Sequence, residues 1–223
     1  MKAVHENTAR WQPVVIKELG QMGLPFPPGL ILAVIDVESN GVPGLVNASS
    51  GASGLMQVMP SALDWYNKSH ELKFSMSDMR SKEGGPAQIR VGTWLIGQFW
   101  RIAYAYLSKR LPAVPIDQLA KIADLMYAAG PGCIRKLMDK LPTASFEAFE
   151  TAYPKSNALP HPRRVYDRVD LTTFSSPMIM SWINTSVQSS APVEEKKNWL
   201  TSAILTAIIG WMVTSLLKRY WDE

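Results

Sequence analysis

The chain has almost no cysteine, little histidine and no pattern of β-strands. Cys133 is its only cysteine. No disulfide can form within the chain, which fits a fold made in a reducing compartment. His5, His70 and His161 are far apart in sequence and there is no CxxC pair, so a protein-bound zinc is not expected. Nothing pairs a histidine with Cys133, which reads as a small half-buried thiol in a helix rather than a nucleophile. No Lys/Arg-rich run is interleaved with aromatics, so nucleic acid is not an expected partner. No alternating β-branched run reaches strand length, which leaves an all-α fold. The first residues lack the apolar run of a secretory signal and carry Glu6 and Arg10 early, so no exported leader is expected. No internal repeat and no cofactor signature stands out.

What is present is enough apolar sequence for a real core: 47% of the 223 residues are hydrophobic and 19% charged. That length suits one domain of ordinary size plus an appendage. Residues 1–171 hold 19 Lys/Arg against 15 Asp/Glu and so carry the whole net charge of +4. The mild excess suits an anionic partner such as a wall polymer or a membrane surface. Prolines mark helix starts, where a missing N–H costs nothing. Pro27-Pro28 precedes an apolar run from Leu30 to Val37, and Pro60 opens a helix toward His70. Pro86 opens a long helix through Leu111, with Ile89, Val91, Trp94, Leu95, Phe99, Ile102 and Tyr106 at helical spacing. Pro115 opens a helix that Gly130 is suited to end, and Pro131 opens the next, through Leu141. Shorter helices are expected at 145–153 and 163–172.

The C-terminal end differs. Trp199–Leu217 holds no charged residue, and 19 helical residues span roughly 28 Å, close to a bilayer's hydrocarbon core. Lys196 and Lys197 precede it, and Lys218, Arg219, Tyr220 and Trp221 follow it, as interfacial anchoring requires. A buried C-terminal core helix is the alternative. The expected organisation is therefore a catalytic or binding domain over 1–172, a linker over 173–198, and a transmembrane helix over 199–217 with a short tail to 223. Ser202, Thr206, Gly210 and Thr214 form an i, i+4 stripe of small or polar residues; it suits either helix-mediated association or a lone anchor.

The stretch from Ile31 to Pro60 carries the chemistry. Leu30, Ile31, Val34, Ile35 and Val37 make their helix apolar almost all round, and such a helix is buried. Glu38 sits at its C-terminal end, where the macrodipole disfavours negative charge. Burial and dipole both favour the protonated carboxyl, the form a proton donor needs. A solvated glutamate at a frayed helix end is the plain alternative. Asp36 cannot pair with it across a substrate, because positions i and i+2 face different sides of a helix. Asp64 and Glu71 are the next carboxylates in sequence. A glycosidase normally sets two carboxylates across the scissile bond, and no second one stands nearby.

Glu38-Ser39, then Ser50-Gly51-Ala52-Ser53-Gly54-Leu55-Met56-Gln57-Val58-Met59-Pro60, closely resembles the signature of soluble-lytic-transglycosylase-like (SLT) enzymes. Ser50 stands one position nearer the Gly/Ala element than in that pattern. Met126-Tyr127-Ala128-Ala129-Gly130 resembles the family's Ala-Tyr-Asn-Ala-Gly block, with Met126 for the usual Ala and Ala128 for the usual Asn. A third element, near Glu-Thr-Arg-x-Tyr-Val, is echoed at Glu150-Thr151 and in 163–169. The resemblance covers residues 12–170 and implies a lysozyme-like, all-helical domain. It implies cleavage of the β-1,4 bond between N-acetylmuramic acid and N-acetylglucosamine in peptidoglycan, leaving a 1,6-anhydro-muramoyl end. Glu38 would serve as acid and then as base; Ser39 would orient the carboxyl or the substrate. Ser50, Gly54, Met56 and Gln57 would line the cleft, and Tyr127 would approach the glutamate or the sugar, with core packing as the alternative for Met56 and Tyr127. No cofactor or metal is implied. The alternatives are a muramidase that uses water, and an assembly protein that binds glycan without cutting it. An enzyme with no leader and a C-terminal membrane anchor leads to a phage virion membrane as the expected location, with action on the host wall while the genome enters and with virion proteins as partners. A bacterial secretion or conjugation machine is the alternative setting.

Overall fold

The computed structural model describes residues 3–189. Among them eleven α-helices follow one another: α1 Glu6–Ala9, α2 Gln12–Met22, α3 Pro28–Ser39, α4 Pro60–Ser69, α5 Met76–Arg80, α6 Gly85–Leu107, α7 Ile116–Ala129, α8 Pro131–Met138, α9 Phe146–Ala152, α10 Pro160–Tyr166 and α11 Ser176–Ser189. A 3₁₀ turn covers Leu171–Thr173. The only β pairing among the described residues is two isolated bridges, Val46 with Ser53 and Ser53 with Val58. They fold the segment between α3 and α4 back on itself.

Seven helices have a proline in their first two positions, where ring and fixed φ suit a helix start. Ser75 and Asp78 form a reciprocal capping box on α5, and the Ser145 hydroxyl caps α9. α3 is the central helix: every residue from Leu30 to Asp36 is buried. It lies between α2 and α10, while α6 packs against α2, α4, α5, α7 and α8. Phe26 packs tilted on Trp100 at 4.9 Å between centroids, and Trp100 stacks on Phe174 at 5.7 Å.

Asp36, at the core side of α3, ties both ends of the domain to it. Its carboxylate accepts from the His5 N–H (2.7 Å), the Thr8 hydroxyl (2.8 Å) and Arg168 Nε (2.7 Å). Burial alone would raise its pKa; these donors and the Arg168 charge outweigh burial and hold it below the usual 3.8.

Several boundaries differ from the sequence expectation. α6 stops at Leu107, where the N–H groups of Arg110 and Leu111 both turn back to the Leu107 carbonyl. α8 ends at Met138 rather than Leu141. The helix expected over 163–172 begins at Pro160 and ends at Tyr166, because Pro160 and Pro162 both fall in a first turn, where no N–H is needed. The segment 173–198, expected as linker, begins as helix α11. Its Ile179 and Ile183, one turn apart, are fully buried. Trp182 packs edge-on against Phe26 at 5.5 Å, under the Arg101 guanidinium at 4.2 Å. Among the described residues no helix is long and apolar enough to cross a membrane. The expected span Trp199–Leu217, its stripe of small residues and the second half of the linker lie outside the described residues.

Candidate active site

α3 ends abruptly. Asn40 adopts a left-handed conformation (φ 50°) and Gly41 follows at φ 72°. A Cβ on Gly41 would stand 2.5 Å from the backbone of Asn7 and Thr8, so only glycine lets α1 close over this turn. The turn leaves Glu38 on the last turn of α3 with its side chain 20% exposed. The carboxyl is therefore held by the core and still open to a ligand.

The Ser/Gly-rich loop is braced from three helices. From α3, the buried Ser39 hydroxyl lies 2.9 Å from the Leu55 carbonyl and 3.0 Å from that of Ile35. From α6, the fully buried Gln88 accepts from Leu55 N–H at 2.9 Å and donates to the carbonyls of Asp78 and Ser81. From α7, the Tyr127 hydroxyl donates to the Met56 carbonyl at 2.5 Å. Gly54 (φ 81°) lets the loop pass over Gln88; a Cβ there would meet that side chain at 2.7 Å.

These contacts fix the places of the expected residues. The Ser39 hydroxyl bonds to backbone carbonyls and locks the end of α3 to the loop. Met56 is fully buried and fills the space above Gly92, so its side chain belongs to the core and only its carbonyl meets Tyr127. Ser50 accepts from Ala52 N–H at 3.2 Å and shapes the turn. Gln57 has a positive φ of 44°, and its Nε2 donates to the carbonyls of Gly54 and Leu45. Ala128, standing where the family pattern has Asn, is exposed, and Met126 is buried.

The structure adds two residues that the motifs do not contain. His161, in the first turn of α10, lies between two carboxylates. Its Nδ1 is 2.9 Å from Asp124 Oδ2 on α7 and its Nε2 is 2.8 Å from Glu38 Oε1. The first contact is an aligned hydrogen bond; the second lies off the N–H axis and is an ion pair. Side-chain exposures of 11% for His161 and 6% for Asp124 show how enclosed the pair is. Burial alone would lower the histidine's pKa, but Asp124 and Glu38 outweigh it and push it up to about 10. The Tyr127 ring stands 5.7 Å from the imidazole. Burial, with the charges of Glu38 and Asp124, raises its hydroxyl well above the usual 10.0, so Tyr127 stays a firm proton donor to Met56. The Tyr166 hydroxyl is buried without a hydrogen-bond partner among the described residues, and the Asp124 charge adds to burial in raising its pKa.

The carboxyl expected to be protonated thus faces a cation. The His161 imidazole stands 2.8 Å from that carboxyl. Asp64 and Glu71 play no part in this cluster. Asp64 pairs with Lys68 on the surface of α4, and Glu71 is exposed. Asp124, like the loop-bracing Gln88, has a signal in the sequence: each is a polar residue on an otherwise apolar face, of α7 and α6 respectively. His161 had none, because its helix was expected to begin at 163, three residues after its actual start at Pro160. Cys133, in α8, is a half-buried thiol whose pKa burial raises.

Among the described residues no group of three or more His, Cys, Asp or Glu is placed to hold a metal ion. The arrangement is one of proton exchange: a reachable carboxyl, a buried imidazole behind it, and a rigid loop of backbone groups beside both. No curated protein matches the chain. The family model of the transglycosylase SLT domain matches residues 15–149, a span that holds Glu38, the braced loop and Tyr127, and the chain belongs to that lysozyme-like, glycan-cleaving family.

Proposed function

We propose that the protein is a peptidoglycan lytic transglycosylase that cuts the β-1,4 bond between N-acetylmuramic acid and N-acetylglucosamine and leaves a 1,6-anhydro end. The observation that carries this reading is that, among the described residues, the contact network of Glu38 holds no carboxylate that faces it across the open side. The nearest acidic side chain in its network, Asp124, lies behind it on the far nitrogen of His161. A site with one reachable carboxyl lacks the protein nucleophile or second base that two-carboxylate hydrolysis uses. It suits a reaction in which the substrate supplies the nucleophile. Glu38 gives its proton to the glycosidic oxygen as that bond breaks, and the 2-acetamido group of the sugar stabilises the positive centre. The same carboxylate then accepts the proton of the sugar's own 6-hydroxyl as that oxygen attacks the anomeric carbon. Gly54 and Gln57 offer the glycan a close backbone approach and an amide already oriented by the loop.

The setting we propose is a membrane tether in a phage virion, with the enzyme opening the host wall locally while the genome enters. The membrane part rests on the uncharged run Trp199–Leu217. Association of the full chain with liposomes, lost on removing residues 199–217, tests the tether.

The chemistry is tested by digesting purified peptidoglycan with the full chain in detergent and reading the products by mass spectrometry. Anhydro-muramoyl ends are expected, and Glu38→Gln should remove cutting while leaving the fold. Reducing ends would replace this reading with hydrolysis, and an active Glu38→Gln would overturn the site.

A further inference from the structure

His161 lies beyond the span that the family model covers, residues 15–149, yet it is the group in closest contact with the Glu38 carboxyl. It reaches that place because α10 packs on both α3 and α7. The groups that face it are Glu38 from α3 and Asp124 and Tyr127 from α7. Arg164, also on α10, donates instead to the Val37 carbonyl. Of these, two are carboxylates in direct contact and none is a cation.

Resting on the transglycosylase reading, we propose that His161 is a positioning residue that stores the catalytic proton of Glu38 and hands it over when glycan covers the pair. Asp124 accepts the Nδ1–H and so fixes the tautomer. The exchangeable proton is then on Nε2, on the side of Glu38. With the site open to water, the pair rests as carboxylate and imidazolium. An uncharged sugar chain over Glu38 displaces water from its exposed fifth and disfavours separated charges. The carboxyl turns into line with Nε2–H, the N–H bond breaks, and the proton passes to Oε1. His161 becomes neutral and keeps its Nδ1–H bond to Asp124.

The proton count closes over a turnover. Glu38 gives its proton to the leaving oxygen, regains one from the 6-hydroxyl, and returns it to His161 as the anhydro product departs. Water is neither consumed nor needed to recharge the acid, which matches a reaction that yields an internal ether. A histidine raised to about 10 keeps the store loaded through neutral pH, where an isolated carboxylic acid is ionised.

The experiment joins two readouts on the full chain in detergent. Ring-nitrogen NMR of histidine-labelled protein is expected to show both nitrogens of His161 protonated at about pH 8, where a free imidazole is neutral. Glu38→Gln and Asp124→Asn should each move that titration to lower pH. In glycan cleavage, His161→Gln should lower kcat by about 100-fold at neutral pH with little change in KM. Its alkaline limb should fall at least about one pH unit lower than that of the wild type. A neutral His161 ring in the wild type overturns the proposal. So does an unchanged alkaline limb in a folded His161→Gln. If His161→Gln does not fold, Asp124→Asn carries the same two readouts, and an unshifted titration there overturns it equally. A wild-type chain that does not cut peptidoglycan overturns the transglycosylase reading itself, while the NMR titration still decides by its own outcome whether His161 holds the proton.

Discussion

At the scale of single residues, the site is organised by a few short polar contacts made inside an apolar core. Tyr127 shows the logic. It sits where the family block places its tyrosine, and the side chain is held by burial and by one bond to the Met56 carbonyl. Tyr127→Phe keeps the ring and removes the hydroxyl, leaving that carbonyl without its donor. The expected cost is about 1–3 kcal/mol of stability, read as a lowered denaturation midpoint. Cutting should fall as the loop loses its tie to α7. An unchanged midpoint would show that water satisfies the carbonyl as well as tyrosine does. The residue scale also shows where sequence reading stops. Glu38 stands out in the sequence because a carboxylate on an apolar helix beside a glycine-rich loop is unusual and matches a family signature. The roles of Ser39 and Met56 were not legible. A motif fixes which residue is present, but not whether its side chain points to ligand, loop or core.

At the scale of elements, helices were readable and their junctions less so. Proline starts, apolar spacing and the Gly130 stop gave α3, α4, α6, α7, α8 and α9 to within a few residues. Where an element is local in cause, sequence suffices. α10 is the counter-example. Its first turn holds two prolines in three residues, which reads as a broken segment until one notes that a first turn has no N–H to lose. That misplacement by three residues hid His161. The loop between α3 and α4 is the other decisive element, and Gly54 is its test. Gly54→Ala places a Cβ 2.7 Å from the Gln88 side chain at a φ of 81°. The buried Gln88 is held by three hydrogen bonds and cannot step aside freely. A loss of roughly 1–3 kcal/mol is expected, together with weaker glycan cleavage. Gly29→Ala is the matched control: nothing lies within 4 Å of its Cβ, and a helical alanine there should be neutral or stabilising by up to about 1 kcal/mol. Equal effects from both substitutions would remove the special role of the loop backbone.

At the scale of the whole molecule, the domain is closed by parts that the motifs leave out. Arg168 and the N-terminal segment meet on Asp36, and α11 brings Ile179, Ile183 and Trp182 onto the core beside Phe26. A fragment ending at residue 175 therefore removes core, not linker. Burying two isoleucines contributes about 3–6 kcal/mol, a large part of a domain's stability. Thermal melts of chains ending at residues 175 and 189 test this. The shorter should unfold at a markedly lower temperature or fail to fold, and the longer should keep the full domain. Coincident melts would return 173–189 to the role of linker.

The sequence by itself determined the helical class, the identity of Glu38 and its loop, and the uncharged C-terminal run. Each follows from local pattern: 3.6-residue spacing, a proline or glycine at a boundary, a carboxylate among apolar neighbours, a stretch without charge. Only the tertiary structure decided what surrounds that carboxylate. Glu38, Asp124 and His161 come from three helices widely separated along the chain, and no local pattern records that α10 crosses α3 and α7 together. The same packing turns two carboxylates and one imidazole into a single proton-holding unit. Its charge state depends on distances of about 3 Å in a largely buried site, quantities that exist only once the chain is folded.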